Sequence, residues 1–175
     1  MGLPTFKYQP NCYNNGVFEK AKAGVLAICQ CCGKVTEYFY STMYCRENVH
    51  CLCPDCISSG TAAEKFNGSF IQDAEEIEDR VGNTDELFSC TPGFTSWQGE
   101  NWLAHCNDYC AFIGDVGIKE LEEMGITQEV LSDYVEMGEY DIDDVRSYLE
   151  KAGSMTGYLF QCLRCRKYRL WVDAD

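Results

Sequence analysis

Thirteen cysteines in 175 residues constrain this chain more than any other feature of it. In oxidising surroundings thiols pair as disulfides, whereas in a reduced compartment they ligate metals or carry out chemistry. An odd count leaves one thiol over in any disulfide scheme. The opening MGLPTFKYQP has neither a charged leader followed by an apolar run nor the hydroxyl residue that a myristoylation signal needs. No stretch approaches the roughly 20 apolar residues of a membrane span. Together these features predict a cytoplasmic protein, with no membrane partner, whose cysteines hold metal.

Spacing selects the ligands. Cys29-Gln-Cys-Cys32 is followed by Gly33, and Cys53-Pro-Asp-Cys56 lies further along the chain. Two residues between thiolates let one tight turn bring both sulfurs to a tetrahedral ion, and glycine permits the positive φ that closes such a turn. Cys31 and Cys51 each flank a proposed ligand and would replace it after a shift of register. The second set is less regular: Cys106-Asn-Asp-Tyr-Cys110 on one side, Cys162-Leu-Arg-Cys165 on the other. A gap of three residues is within the roughly two to four usual for structural pairs. His105 competes with Cys106, and Arg166 stands where a glycine would ease the turn. The expectation is two structural zinc ions, held by Cys29, Cys32, Cys53 and Cys56 and by Cys106, Cys110, Cys162 and Cys165.

The predicted fold class is α+β, with an N-terminal zinc-ribbon lobe over 1–70, an acidic connector over 71–90 and a second zinc-centred lobe over 91–175. The first lobe reads as a short strand and loop in 1–28, the strand-like run VTEYFY and a helix from Ile57 to Phe66. Between residues 73 and 86, seven acids face the single Arg80, which predicts a solvated segment. Three helical patterns follow: around Ile118 and Leu121; around Val130, Leu131, Tyr134 and Val135; and around Ile142, Val145, Tyr148 and Leu149, with Asp141 as N-cap. They are inserted before a C-terminal β-hairpin built from YLFQC and RKYRLWV. The stretch TPGFTSWQGENW, with a turn at Pro92-Gly93 and Phe94, Trp97 and Trp102 close by, is the most pocket-like segment, but it reads first as core packing between the lobes, with a pocket as the alternative.

Charge narrows the partners. The chain carries 28 acids against 14 Lys and Arg, a formal charge of −14, which opposes binding to phosphate backbones in general. Arg164, Arg166, Lys167 and Arg169 form the only local basic patch, read as a solvated strand face with nucleic-acid binding as its alternative. Nineteen of the 28 acids fall within 73–86 and 115–150, a surface suited to a basic protein partner.

Several segments resemble the CbrC family, named after a colicin-resistance protein: FKYQP, CQCCG with YFY after it, CPDCISSGTAAEKFNGSF, TPGFTSWQGENWLAHCNDYCAFIGDVG and CLRC. The resemblance implies a small cytoplasmic bacterial protein, the paired-cysteine positions and no particular reaction. Asp55 departs from an aromatic usual inside that knuckle, and Cys12, Cys31, Cys45, Cys51 and Cys90 are additions of this chain.

No catalytic motif accompanies the cysteines. His50 and His105 are the only histidines, His-Glu-x-x-His is absent, and neither histidine sits in the His-x-Glu arrangement of nucleotide deaminases. Four-thiolate sites leave no open position for water. The function expected is therefore an adaptor-like protein-interaction module rather than an enzyme, with a cysteine nucleophile near His105 as the catalytic alternative.

Overall fold

A computed structural model describes residues 2–78 and 81–175. Short elements make up its first part, because glycines, asparagines and closely spaced cysteines leave no room for long periodic runs. Strand β1 (Glu19–Lys20) pairs with β4 (Tyr38–Phe39), and β2 (Ala27–Ile28) with β3 (Val35–Thr36), both antiparallel. Tyr40 then bridges to Leu52. The helix expected from Ile57 to Phe66 is two helices, α1 (Pro54–Ser58) and α2 (Thr61–Phe66). Gly60 separates them with φ +72°, and a Cβ there would lie 3.2 Å from Cys90 Sγ. Phe6, Phe18, Tyr40, Leu52, Ile57, Phe66 and Phe70 fill the core beneath.

The acidic stretch is tied down rather than free. Strand β5 (Asp73–Ala74) runs parallel to β6 (Asn101–Trp102), and helix α3 (Asn83–Cys90) buries Leu87. Glu75 accepts the Ala104 N–H at 2.6 Å. Arg80, expected as the lone cation here, lies outside the described residues. Strands β7 (Ala104–His105) and β8 (Asp108–Tyr109) form a small hairpin.

The largest sheet has the order β11-β10-β9, from β9 (Ala111–Val116), β10 (Met155–Gln161) and β11 (Tyr168–Ala174), all antiparallel. Its last two strands in sequence, β10 and β11, form the hairpin expected from YLFQC and RKYRLWV. Strand β9 escapes a period-two reading because a bulge leaves Ile113 without a partner and Gly114 takes φ +148°. Helices α4 (Ile118–Glu123), α5 (Thr127–Met137) and α6 (Ile142–Tyr148) fall where the patterns put them, and the Asp141 carboxylate caps α6 by accepting the Asp143 N–H at 2.8 Å. They bury Leu121, Val130, Leu131, Tyr134 and Val145 against Leu159, Leu170 and Val172 of the sheet. Val135 and Tyr148 were expected on those faces but are 61% and 66% exposed. Each lies roughly a quarter turn from the centre of its stripe, too far round to reach a single flat sheet. Among the described residues no helix is long and apolar enough to cross a membrane.

Arg169 does not belong to a solvated strand face. It is 5% exposed and donates to the Glu75 carboxylate and the Ala104 carbonyl, with Asp133 Oδ2 of α5 at 3.7 Å. Lys167 pairs with Asp133 as well. Burying a guanidinium is tolerated only with such partners, and removing it strands their charges. Arg169→Leu should therefore cost about 3 kcal/mol, whereas Arg164→Ala, at an exposed position, should change stability by no more than about 0.5 kcal/mol. Urea denaturation of the two variants checks this; equal losses would contradict the buried network.

Candidate metal centres

Cys29, Cys32, Cys53 and Cys56 come together with all four sulfurs within 4.8 Å of one another. The first pair stands on a tight turn: Gly33 N–H donates to Cys29 O at 2.8 Å, Cys29 N–H to Lys34 O at 2.9 Å, and Gly33 takes φ +74°. The second pair opens α1, whose Pro54 sits in the first helical turn where a missing N–H costs nothing. Cys32 Sγ and Cys53 Sγ are 3.8 Å apart. A tetrahedron with metal–sulfur bonds of about 2.3 Å has edges of about 3.8 Å, so the pair already spans one. Cys29, Cys53 and Cys56 are buried and Cys32 is exposed.

The second group is His105, Cys106, Cys162 and Cys165. His105 Nδ1 lies 3.2 Å from both Cys106 Sγ and Cys165 Sγ. The Cys162–Cys165 turn repeats the first one: Arg166 N–H donates to Cys162 O at 3.1 Å, Cys162 N–H to Lys167 O at 2.9 Å, and Arg166 itself adopts φ +66°. The arginine thus takes the strained conformation that Gly33 takes freely, a cost of order 1 kcal/mol or more accepted to close the turn.

Cys110, expected as the fourth ligand of this group, is elsewhere. Cys106 and Asn107 occupy the two central positions of the β7–β8 hairpin, both with positive φ, 54° and 57°. That type I′ geometry puts Ala104 opposite Tyr109 and His105 opposite Asp108. Cys110 then falls beyond the paired arm, its N–H bonded to Leu103 O at 2.9 Å. It is 0% exposed and packs in the core with Trp102, Phe112 and Phe160. His105, at the hairpin tip beside Cys106, joins the group instead. The sequence carries only part of the signal: Asn107 tolerates left-handed backbone, but a cysteine at the first central position is not a residue that favours a type I′ turn. The histidine displaces Cys110 and not Cys106, its rival by proximity.

Electrostatics mark the leading cysteine of each turn. Burial raises the pKa of Cys29, yet the N–H groups of Cys53, Cys32 and Cys31 outweigh it and hold the thiol at about 7. At Cys162 burial is likewise overcome, here by the N–H groups of Cys165 and Arg164 and by His105, and the pKa falls to about 6. Backbone N–H groups aimed at a sulfur favour its thiolate, the form that ligates metal. By contrast, burial is the main cause that raises Cys110 to about 12, with Cys162, Glu75 and Cys165 adding to it and Arg169 opposing it, and burial raises Cys12 likewise. Cys31, Cys45, Cys51 and Cys90 are outside both groups. Two clusters of soft donors can therefore hold two metal ions.

Comparison with known proteins follows from the whole chain. A profile described as an uncharacterised protein family, UPF0167, matches residues 3–174. The chain belongs to the UPF0167 family. A UPF0167 protein of Mycobacterium bovis is 31% identical over 178 residues, covering 98% of this chain and 93% of its own. A Mycobacterium tuberculosis UPF0167 protein matches with the same identity and coverage. A third, from Pseudomonas aeruginosa, is 39% identical over 128 residues, covering 70% of this chain and 69% of its own. No solved structure matches. The family is thus a bacterial one in these relatives, and its description assigns no activity.

The geometry distinguishes His105 from Cys110 experimentally. Cys110→Ala should leave metal content unchanged and reduce stability by about 1 kcal/mol, the scale of a small buried side chain. His105→Ala should lower the metal content of the second group. Elemental analysis of protein prepared under reducing conditions reads both; loss of metal from Cys110→Ala with none from His105→Ala would reverse the assignment.

Proposed function

We propose that this UPF0167 protein is a structural-zinc module, cytoplasmic and non-enzymatic, that binds a basic protein partner. The observation carrying the first half is that each group supplies four donors within reach of one ion. Thiolate and imidazole at tetrahedral spacing suit zinc, and a complete set of four protein donors leaves no position for a water or substrate. The two ions would tie together segments that are far apart in sequence: a turn to a helix start in the first group, the β7–β8 hairpin to the β10–β11 turn in the second. In small peptides such sites supply about 10–16 kcal/mol of apparent binding energy, which is folding energy.

The second half rests on charge. Among the acids of 115–150, Glu122, Glu123, Glu136, Glu139, Asp143 and Asp144 are exposed, and the formal charge of −14 adds a field that accelerates encounter with a cation-rich surface. Nucleic-acid binding through the hairpin is disfavoured because Arg169 and Lys167 are engaged by Glu75 and Asp133. The resemblance to the CbrC family, carried by FKYQP, CPDCISSGTAAEKFNGSF and CLRC, adds toxin or stress tolerance as the setting of this proposal.

Two measurements on one preparation test it. Protein purified anaerobically under reducing conditions should contain two equivalents of zinc; folded material with none would overturn the structural-zinc reading. Changing Asp141, Asp143 and Asp144 together to Lys should slow capture of the partner from native lysate at low salt while leaving zinc content unchanged. Capture indifferent to the reversal, or loss of the captured species on nuclease treatment, would overturn the partner.

A further inference from the structure

A cavity of about 290 Å³ opens where the TPGF turn meets strand β9, lined by Asn15, Glu19, Tyr40, Phe94, Phe112 and Asp115 among others. Its size approaches that of small-ligand sites. The floor is aromatic and fixed. Phe94 stacks on Phe112 with ring centroids 4.4 Å apart and planes at 10°, and Tyr158 packs on Phe94 at 5.0 Å. Over it, the Tyr40 hydroxyl accepts the Gly93 N–H at 3.1 Å and pins the turn. A side chain at position 93 would meet Phe70 O at 2.6 Å, so the close approach of this turn requires glycine.

The bulge in β9 decides what faces the cavity. Phe112 stands opposite Phe160 and Asp115 opposite Tyr158. Residues opposed across an antiparallel pair share a face, and Tyr158 and Phe160 are two apart on β10. Phe112 and Asp115, three apart, therefore lie on the same face, which regular alternation would forbid. The extra residue Ile113 places a carboxylate beside an aromatic wall. The Asp115 carboxylate makes no hydrogen bond or ion pair among the described residues, and partial burial raises its pKa, an effect that Lys151 only partly offsets. Ser41 and Thr95 also line the cavity, whereas no lysine or arginine among the described residues does.

We propose that this cavity binds a small free organic cation, a primary ammonium or guanidinium group on a short apolar stem. Asp115 supplies the counter-charge with Glu19 at the rim, and Val17 with the edges of the Tyr40, Phe94 and Phe112 rings that reach the cavity receives the stem. An ion pair in a partly desolvated cleft is stronger than one at the open surface. An anion would meet two carboxylates and no cation, and a neutral ligand would leave Asp115 uncompensated. This inference is independent of the zinc and partner readings, since none of its residues belongs to either metal group or to the acidic helices.

Calorimetric titration of the full chain with agmatine and n-butylamine, and with n-butanol as the neutral control, tests it. Both cations should bind the wild type and n-butanol should not. Asp115→Asn keeps the shape of the side chain and should weaken binding by about tenfold or more, the scale of losing a charge-assisted hydrogen bond. Thr95→Trp, at an exposed position on the rim, should block entry without touching the core. Glu64→Gln, exposed on α2 and outside the cavity lining, should bind as the wild type does. Absence of binding by both cations, or affinity undiminished in Asp115→Asn and Thr95→Trp, would overturn the proposal; a loss equal in Glu64→Gln would show only screening of the overall charge and would overturn it too.

Discussion

The buried guanidinium of Arg169 is the contact on which the second half of the molecule depends. From strand β11 it reaches the Glu75 carboxylate and the Ala104 carbonyl, and it has Asp133 of α5 near it. Glu75 in turn accepts the Ala104 N–H. Both main-chain groups of Ala104 are thus held, and the next residue is His105. The hairpin tip that carries His105 and Cys106 is thereby brought to the Cys162–Cys165 turn, which joins β10 to β11 a few residues before Arg169. One buried cation therefore orients the donors of the second group without being a donor itself. A buried charge is tolerated only when every partner is satisfied, and here the three partners come from three segments separate from β11.

The two metal groups reach similar geometry by different routes. Each has a leading turn in which a cysteine N–H bonds five residues ahead and its carbonyl accepts from four residues ahead. That geometry is local, and Gly33 and Arg166 both adopt the left-handed backbone it demands. Completion differs. The first group closes with a second regularly spaced pair at the start of α1, while the second closes with a histidine and a cysteine from a hairpin tip. Local turns thus set half of each group, and long-range packing sets the rest.

The same division governs the acidic character. The seven acids between residues 73 and 86 look in sequence like one solvated run. In the fold, Glu75 is a structural anchor and Asp73–Ala74 is paired as a strand. Charge alone does not separate an anchoring carboxylate from a solvated one; only the presence of Arg169 opposite does. Asp115 is a third kind, half-buried beside aromatic rings and without an ion pair among the described residues.

The sequence by itself determined the α+β class, the two cysteine turns, the three helices with Asp141 as cap, and the C-terminal hairpin, because each follows from spacing within a few residues. Cys29, Cys32, Cys162 and Cys165 were legible for that reason. Tertiary structure alone decided that His105 rather than Cys110 joins the second group, that Arg169 is buried, and that Asp115 faces a cavity. Each of those outcomes turns on backbone phase. Two left-handed residues at Cys106 and Asn107 carry Cys110 past the turn and into the core, and one unpaired residue at Ile113 rotates Asp115 to the aromatic face. A shift of one residue exchanges the faces of a strand, and composition and spacing do not record where that shift occurs.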